Sequence, residues 1–141
     1  MTMEYCGVYK LYSFTIITPS GERVSWGRDP TGLLIYHQDG YMSVSINKEP
    51  EMQTTESETE NWLNSILFYS GTYSIDGKQI THQVMNASSS SRIRKEMIRF
   101  AEWKEGKLHL ITPIETFGQA ELVWEKISVL KRSVSTKYRK S

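Results

Sequence analysis

The sequence predicts an all-β fold, an antiparallel up-and-down barrel of about eight to ten strands with one short helix. Three hairpin signals carry this prediction: Asp39-Gly40, Asp76-Gly77 and Glu105-Gly106. Each pair lies between two segments of strand length and supplies a glycine where a tight turn needs positive φ. Only one stretch of the chain has the 3.6-residue apolar period of a helix. Regularly spaced strands joined by hairpins close most easily as a barrel.

The first four strands are predicted over residues 9–18, 22–26, 33–36 and 41–46. The first strand mixes β-branched and aromatic residues and ends at a Pro-Ser-Gly turn. In the fourth strand, Met42, Val44 and Ile46 alternate with polar residues, which is the period-2 pattern of a strand with one apolar face. Asp39-Gly40 between the third and fourth strands is read as a type I′ turn.

The period changes over residues 55–67, and a helix is predicted from 57 to 67. Ser57 and Glu60 have the spacing of a capping box. The apolar side chains that follow share one helical face: Trp62, Leu63, Ile66 and Leu67. We expect this face to cover one mouth of the barrel, with residues 48–54 as a loop that leads into it.

Strands resume in the second half of the chain, over residues 68–75, 78–85, 92–103, 107–112 and 119–129. Asp76-Gly77 is read as a second type I′ turn, and Glu105-Gly106 joins the third hairpin. Residues 86–91, which contain four consecutive serines, and residues 113–118 are predicted loops at the rims of the barrel.

The length of 141 residues indicates one domain, with residues 1–130 as the barrel and residues 131–141 as a basic C-terminal tail. The chain has no acidic residue after Glu125, although its net charge is only +1. We interpret the tail as a solubilising terminus or a contact to a second subunit in a homodimer. Aromatic and basic residues are not interleaved as in single-strand binding platforms, so we expect no nucleic acid partner.

Cysteine usage and hydropathy predict a cytoplasmic protein. Cys6 is the single cysteine, which excludes an intramolecular disulfide and suits a reducing compartment. The first 25 residues show no secretory signal pattern. No apolar run approaches the roughly 20 residues of a membrane span.

Residues 29–43 carry the pattern Asp-Pro-x-Gly-x-Leu-Ile-Tyr-x-x-Asp-Gly-Tyr-Met-Ser, which resembles the signature of the bacterial and fungal lipocalin-like domain family. Residues 7–14, 69–73 and 80–82 resemble further strands of that family, which usually has Trp in place of Tyr9. The resemblance covers most of residues 5–127. It implies a calycin-type β-barrel, favours an arginine at position 99, and links some members to small-molecule biosynthesis.

The common catalytic motifs are missing from the sequence. No glycine-rich phosphate loop, cysteine pair or nucleophile elbow is present. His37, His82 and His109 have no neighbours at metal-ligand spacing. We therefore expect no metal and no cofactor.

His82 is the most informative of the three histidines, because it lies in an apolar row with Ile80 and Val84. It is either a hydrogen-bonded core residue or a polar anchor and acid–base group. If the cavity is functional, we expect His82 to form its polar cluster with an inward-facing Tyr69 or Tyr73, with or without Arg99. His109 alternates with leucines and His37 lies at a turn, so both are expected to face solvent.

Arg99 shares a face with Met97, Ala101 and Trp103, but both faces of its strand are partly apolar. Pointing inward, it would need an anionic or carbonyl partner. Pointing outward, it would lie over Trp103. The candidate catalytic residues are thus His82, Arg99 and Tyr69. The candidate ligand contacts, which could equally be core fillers, are Tyr36, Met42, Tyr73, Trp103 and Trp124.

Three functional hypotheses follow from this sequence. The first is a barrel that binds a small, mostly apolar molecule in its cavity, in secondary metabolism. The alternative is a cofactor-independent cyclase or isomerase that acts on a polyketide- or terpenoid-like substrate in the same cavity. The third is a structural module with a filled core, and a cavity above about 300 Å³ would count against it.

Overall fold

Nine β-strands make up most of the chain that the computed structural model describes, which is residues 4–27, 29–48, 66–115 and 118–127. Their bounds are β1 Gly7–Ile17, β2 Arg23–Ser25, β3 Thr31–Tyr36, β4 Tyr41–Asn47, β5 Ile66–Asp76, β6 Gln79–Ala87, β7 Glu96–Lys104, β8 Lys107–Ile111 and β9 Gln119–Ile127.

Eight of these strands form a closed antiparallel barrel. From β3 to β9 each strand pairs with the next strand of the chain, and β1 closes the barrel by pairing with both β3 and β9. The short β2 pairs only with the end of β1, through Thr15, Ile16 and Ile17. This meander confirms the predicted all-β, antiparallel up-and-down barrel.

A β-bulge in β1 changes which of its residues face the interior. The register against β9 shifts between Leu11 and Ser13, which leaves Tyr12 as the extra residue. Tyr9 is buried on one side of the bulge, and Phe14 is buried on the other side. The inward positions thus move from odd to even numbers, so that both ends of this long strand contribute to the core.

Two of the three hairpin turns differ from the predicted geometry. Asp76 pairs with Gln79, so the central turn residues are Gly77 and Lys78, and positive φ occurs only at Gly77. That arrangement is typical of a type II′ turn, not type I′. At Asp39-Gly40 only Gly40 has positive φ, because the connection is longer than two residues. Glu105 and Gly106 both have positive φ, as a type I′ turn requires.

Two predicted segment boundaries were wrong. Ile66 and Leu67 were assigned to the end of the helix but belong to β5, while residues 49–65, with the rest of that helix and most of its loop, lie outside the described residues. The strand predicted from residue 92 begins at Glu96 instead, since Ser90–Arg92 is a short 3₁₀ helix and Arg94 has a φ of 73°. The basic tail, residues 131–141, also lies outside the described part.

The described part of the chain contains no helix that is long and apolar enough to cross a membrane.

One end of the barrel interior is filled by aromatic rings. Tyr9 packs edge-on against Tyr36, and the ring of Tyr36 lies 4.6 Å from that of Tyr73. Tyr5 and Trp103 stack in parallel at 6.3 Å and extend this cluster towards the surface. The filled end leaves the opposite end of the barrel for a cavity.

Candidate functional site

A cavity of about 530 Å³ occupies the end of the barrel opposite this aromatic cluster. Its described apolar lining consists of Phe14, Ile16, Trp26, Leu34, Val44, Ile46, Leu67, Met97, Leu110, Ala120 and Leu122. Its described polar lining consists of Tyr69, His82, Arg92, Arg99, Thr112 and Glu115, and the indole of Trp124 completes the wall. Most of these residues lie near the ends of β1, β4 and β8 and near the starts of β5, β7 and β9, which meet at one rim of an antiparallel barrel. β3, β6 and the connecting segments supply the others.

His82 is held between two tyrosine hydroxyls at the inner end of this cavity. The Oη atom of Tyr36 lies 2.6 Å from Nε2 of His82, and the Oη atom of Tyr69 lies 2.6 Å from Nδ1. The three side chains come from β3, β5 and β6, and His82 is only 2% exposed. Both ring nitrogens are therefore used in hydrogen bonds, and the imidazole is fixed in orientation.

Burial keeps the imidazole neutral. Burial, assisted by the nearby charge of Arg99, lowers the pKa of His82 from 6.5 to about 3. A neutral imidazole has one N–H donor and one bare acceptor nitrogen. One tyrosine must therefore donate to the ring, and the other must accept from it.

The surroundings of the two tyrosines decide which one donates. Tyr36 is fully enclosed, and its hydroxyl has no acceptor other than Nε2 among the described residues. We assign its hydrogen to Nε2, because a buried donor without a partner is costly. Nδ1 then carries the ring proton and donates it to Tyr69. The hydroxyl hydrogen of Tyr69 remains available to an acceptor in the cavity, which Tyr69 lines.

Arg99 points into the barrel. It pairs in register with the buried Ile80 and lines the cavity together with Met97. Its Nη1 donates to the backbone oxygen of Ile98 at 2.8 Å, which is the one hydrogen bond of this side chain to the described residues. The orientation that the sequence left open is thus inward, and most of the guanidinium donors stay without a protein acceptor in the described ranges.

Arg92 brings a second guanidinium to the same wall. The 3₁₀ helix Ser90–Arg92 follows β6 and leads into β7, and this path places Arg92 in the cavity lining. Burial raises the pKa of Tyr69, and the charges of Arg99 and Arg92 oppose that rise. Both guanidinium groups therefore act on the hydroxyl that faces the cavity.

Trp26 lies at the cavity mouth, just after β2. Its ring stacks on Phe14 with the ring centres 4.5 Å apart, and the ammonium of Lys48 lies 5.4 Å from the centre of the Trp26 ring. Its backbone N–H donates to the oxygen of Phe14. The short strand β2 thus serves to hold a large aromatic side chain against the open end of the barrel.

Four residues that the sequence suggested as ligand contacts do not line the cavity. Tyr36, Met42, Tyr73 and Trp103 belong to the filled end of the barrel or its margin. The hydroxyl of Tyr73 donates to the backbone oxygen of His37 and also lies 3.5 Å from the sulfur of Cys6, so it does not reach His82. The sequence suggested Tyr69 or Tyr73 as the partner of His82; in the structure the partners are Tyr69 and Tyr36.

Trp124 is the fifth suggested ligand contact, and it does lie in the cavity lining. It is 1% exposed, and its indole Nε1 has no hydrogen-bond partner among the described residues. The nitrogen is also inaccessible, so the indole contributes an apolar surface to the cavity wall.

The other two histidines lie on the outside of the barrel. His37 is exposed beside Asp39 in its turn, as predicted. His109 lies on the outer face between the buried Leu108 and Leu110, but it is largely covered, with Nδ1 2.9 Å from a carboxylate oxygen of Glu121. His109 thus points outward, as the alternation predicts, although its side chain is only 17% exposed.

Sequence reasoning missed Phe14, Trp26 and Arg92 as cavity residues. Phe14 follows the bulge in β1, and a regular alternation from Tyr9 places it on the outside. Trp26 carried a detectable signal, since a tryptophan directly after a short strand needs an apolar neighbour. Arg92 was assigned to a regular strand, where its direction into the cavity was not apparent.

Several solved structures are similar to this chain at low sequence identity. An uncharacterized protein from Bacteroides eggerthii is 12% identical, with a TM-score of 0.47, over 87% of this chain and 99% of its own. The wild-type fluorescent protein UnaG is 13% identical, with a TM-score of 0.46, over 90% of this chain and 100% of its own. A variant of UnaG gives 14% identity and a TM-score of 0.45, over 89% and 98%.

No curated protein matches the sequence. The sequence profile of the lipocalin-like domain matches residues 6–127, which include the whole barrel from Gly7 in β1 to Ile127 in β9. The chain belongs to the lipocalin-like domain family.

Proposed function

We propose that this protein binds a small, mostly apolar molecule that carries a hydrogen-bond acceptor, and that the cavity at the open end of the barrel is the binding site. The observation that carries the proposal is the cavity itself, about 530 Å³ within a closed barrel. Ligand pockets measure about 300 to 1,000 Å³. A structural module with a filled core would leave no such volume, so this size favours the binding function.

The distribution of side chains suggests how the molecule is oriented. Leu34, Val44 and Ile46 from β3 and β4 form an apolar wall. Tyr69 and Arg99 present donors from β5 and β7. A ligand that places its apolar body on the first wall and an acceptor near Tyr69 satisfies both.

The hydrogen-bond chain also favours a second candidate function, a cofactor-independent isomerase or cyclase. The oxygen of Tyr69 lies 2.6 Å from Nδ1 of His82. With the ring proton assigned to Nδ1, His82 donates to the Tyr69 oxygen, and the O–H of Tyr69 is left for an acceptor in the cavity. A hydroxyl that receives such a bond is a better donor, because negative charge that develops on its oxygen is stabilised. Tyr69 would polarise a substrate carbonyl, and the apolar wall would fold a polyketide- or terpenoid-like chain for ring closure.

The binding proposal is tested with a neutral apolar dye such as Nile red, titrated against the purified chain. We expect saturable binding at one site. Val44→Phe fills part of the cavity and should weaken dye binding by about tenfold or more, since overpacking and lost contacts together cost more than about 1.4 kcal/mol. Val8→Phe, on the outer face of β1, is the matched control and should leave the affinity unchanged.

Folding of both variants is checked by circular dichroism and thermal unfolding before affinities are compared. Unsaturable dye uptake, or equal affinity of the wild type and a folded Val44→Phe variant, would contradict binding in this cavity.

A further inference from the structure

The charges inside the cavity are unbalanced. Arg92 and Arg99 both line it, while His82 is neutral. The one acidic side chain in the described lining is Glu115, which is exposed. Neither arginine has a carboxylate within 4 Å among the described residues, whose ion pairs all involve other side chains.

This imbalance has a physical cost. A guanidinium that is partly withdrawn from water needs acceptors for its five N–H donors. Arg99 has one, the backbone oxygen of Ile98. The remaining donors, with the free hydroxyl hydrogen of Tyr69, are on the polar wall of a cavity whose other walls are apolar.

We propose that the ligand is an amphipathic acid, whose carboxylate is bound by Arg99 and Tyr69, with Arg92 adding positive charge at the same wall. This inference rests on the proposed binding function and adds the chemical class of the ligand. A carboxylate has two oxygens and matches the planar fork of a guanidinium, while Tyr69 donates its hydroxyl hydrogen to the same group. The apolar chain of the acid lies against Leu34, Val44 and Ile46.

A neutral acceptor fits the observations less well. A ketone or ester accepts one or two hydrogen bonds but leaves two guanidinium charges uncompensated in a site of low polarity. An acid anion compensates one full charge and uses more of the donors. The electrostatic argument therefore distinguishes an acid from its uncharged analogue of equal length.

The test compares dodecanoic acid with dodecanol, at pH 7.5, as competitors of bound Nile red. For the wild type we expect the acid to bind about tenfold or more tightly than the alcohol, since hydrogen bonds to charged groups are worth about twice those between neutral groups. Arg99→Met should reduce the affinity for the acid by about 10- to 100-fold and change that for the alcohol by less than about threefold. Arg99→Lys should retain part of the preference.

Arg94→Met is the matched control, because Arg94 is exposed in the same connection between β6 and β7 and does not line the cavity. Both affinities should stay at the wild-type value in this variant. Equal binding of acid and alcohol to the wild type would overturn the inference without any variant, while leaving the binding function intact. Equal losses for both competitors in a folded Arg99→Met variant would also overturn it. Absence of dye binding would overturn the proposed function and this inference with it.

Discussion

The hydroxyl oxygen of Tyr69 lies 2.6 Å from Nδ1 of His82, and this contact decides how the polar wall of the cavity behaves. Because Nε2 is occupied by the hydroxyl of the enclosed Tyr36, we predict that His82 is the neutral tautomer with its proton on Nδ1. Long-range proton–nitrogen NMR spectra distinguish protonated from bare ring nitrogens. A bare Nδ1 would contradict the assignment and turn the Tyr69 hydrogen away from the cavity.

Removal of the Tyr36 hydroxyl should lower the stability more than removal of the Tyr69 hydroxyl. Tyr36→Phe leaves Nε2 without a donor in a fully enclosed place and should lower the free energy of unfolding by about 1–3 kcal/mol. Tyr69→Phe leaves Nδ1–H beside the cavity, where water can replace the lost acceptor, so the loss should be smaller. Tyr41→Phe, on an exposed side chain, is the control and should change little. Urea unfolding measures the free energy of unfolding of all three variants. An equal loss for Tyr36→Phe and Tyr69→Phe would contradict the assigned directions of the two hydrogen bonds.

The pH dependence of stability should carry a contribution from His82. Its pKa is about 3 in the folded protein and about 6.5 in the unfolded chain. Between these values the unfolded chain takes up a proton that the folded protein does not, so the stabilisation is complete above pH 6.5 and is lost as pH falls. From pH 7 to pH 5 the loss from this group should be about 2 kcal/mol.

His82→Phe removes this titration, so the measurement is the difference between the pH slopes of the wild type and the variant. His37 and His109 are common to both proteins and cancel. Burial alone would raise the pKa of Glu121, but hydrogen bonds from Arg23 and His109 outweigh it and lower that pKa, so Glu121 contributes only at more acidic pH. Identical slopes between pH 7 and pH 5 would show that His82 titrates normally.

The barrel was predictable from the sequence because its turns and alternation are local signals. Glu105-Gly106 and the Met42–Val44–Ile46 row needed no knowledge of distant residues. The hairpins at Gly40 and Gly77 were predicted, but their central turn residues and turn types differ from the prediction, because both depend on the pairing register, which a dipeptide does not reveal. The family resemblance over residues 29–43 agreed with the match over residues 6–127.

The site was less predictable, since its members come from strands far apart in the chain. Alternation placed His82 on the inner face, and Tyr69 was named as its partner. The contact with Tyr36 joins residues 46 positions apart and depends on barrel closure. The division of the interior into a filled end and a cavity separates Trp103 from Trp124, although both face inward. Such a division depends on how the rings of Tyr9, Tyr36 and Tyr73 pack, which no spacing rule gives.

Two tryptophans at opposite ends of the barrel should respond differently to substitution. Trp26→Ala removes a ring from the cavity mouth and should weaken Nile red binding by about 5- to 30-fold, the equivalent of about 1–2 kcal/mol of lost apolar contact. Trp103→Ala should lower the thermal stability through its lost stacking on Tyr5, with dye affinity within about twofold of the wild type. A larger loss of affinity in Trp103→Ala than in Trp26→Ala would place the ligand at the other end.

Gly71 should be intolerant of any side chain, because it lies opposite a β-bulge in β6, where Met85 is the extra residue. The register against β6 shifts between Ser70 and Gly71, and a Cβ atom on Gly71 would lie 1.9 Å from the backbone oxygen of Gln83. The backbone of β6 cannot move aside as the end of a flexible side chain can. Gly71→Ala should therefore lower the free energy of unfolding by roughly 2–4 kcal/mol, the range for overpacking and strain in a core. Ser70→Ala, one residue away, is the control and should cost less than about 0.5 kcal/mol.

The same substitution separates two roles for this glycine. If Gly71 serves only the bulge, Gly71→Ala loses stability while the folded fraction binds Nile red with unchanged affinity. If its missing side chain makes room for a ligand, the affinity should fall as well. The cavity is lined by Tyr69 and His82 but not by Gly71, so we expect the first result. Urea unfolding and dye titration of Gly71→Ala and Ser70→Ala measure both quantities. A Gly71→Ala variant as stable as the wild type would contradict the close approach of β5 and β6.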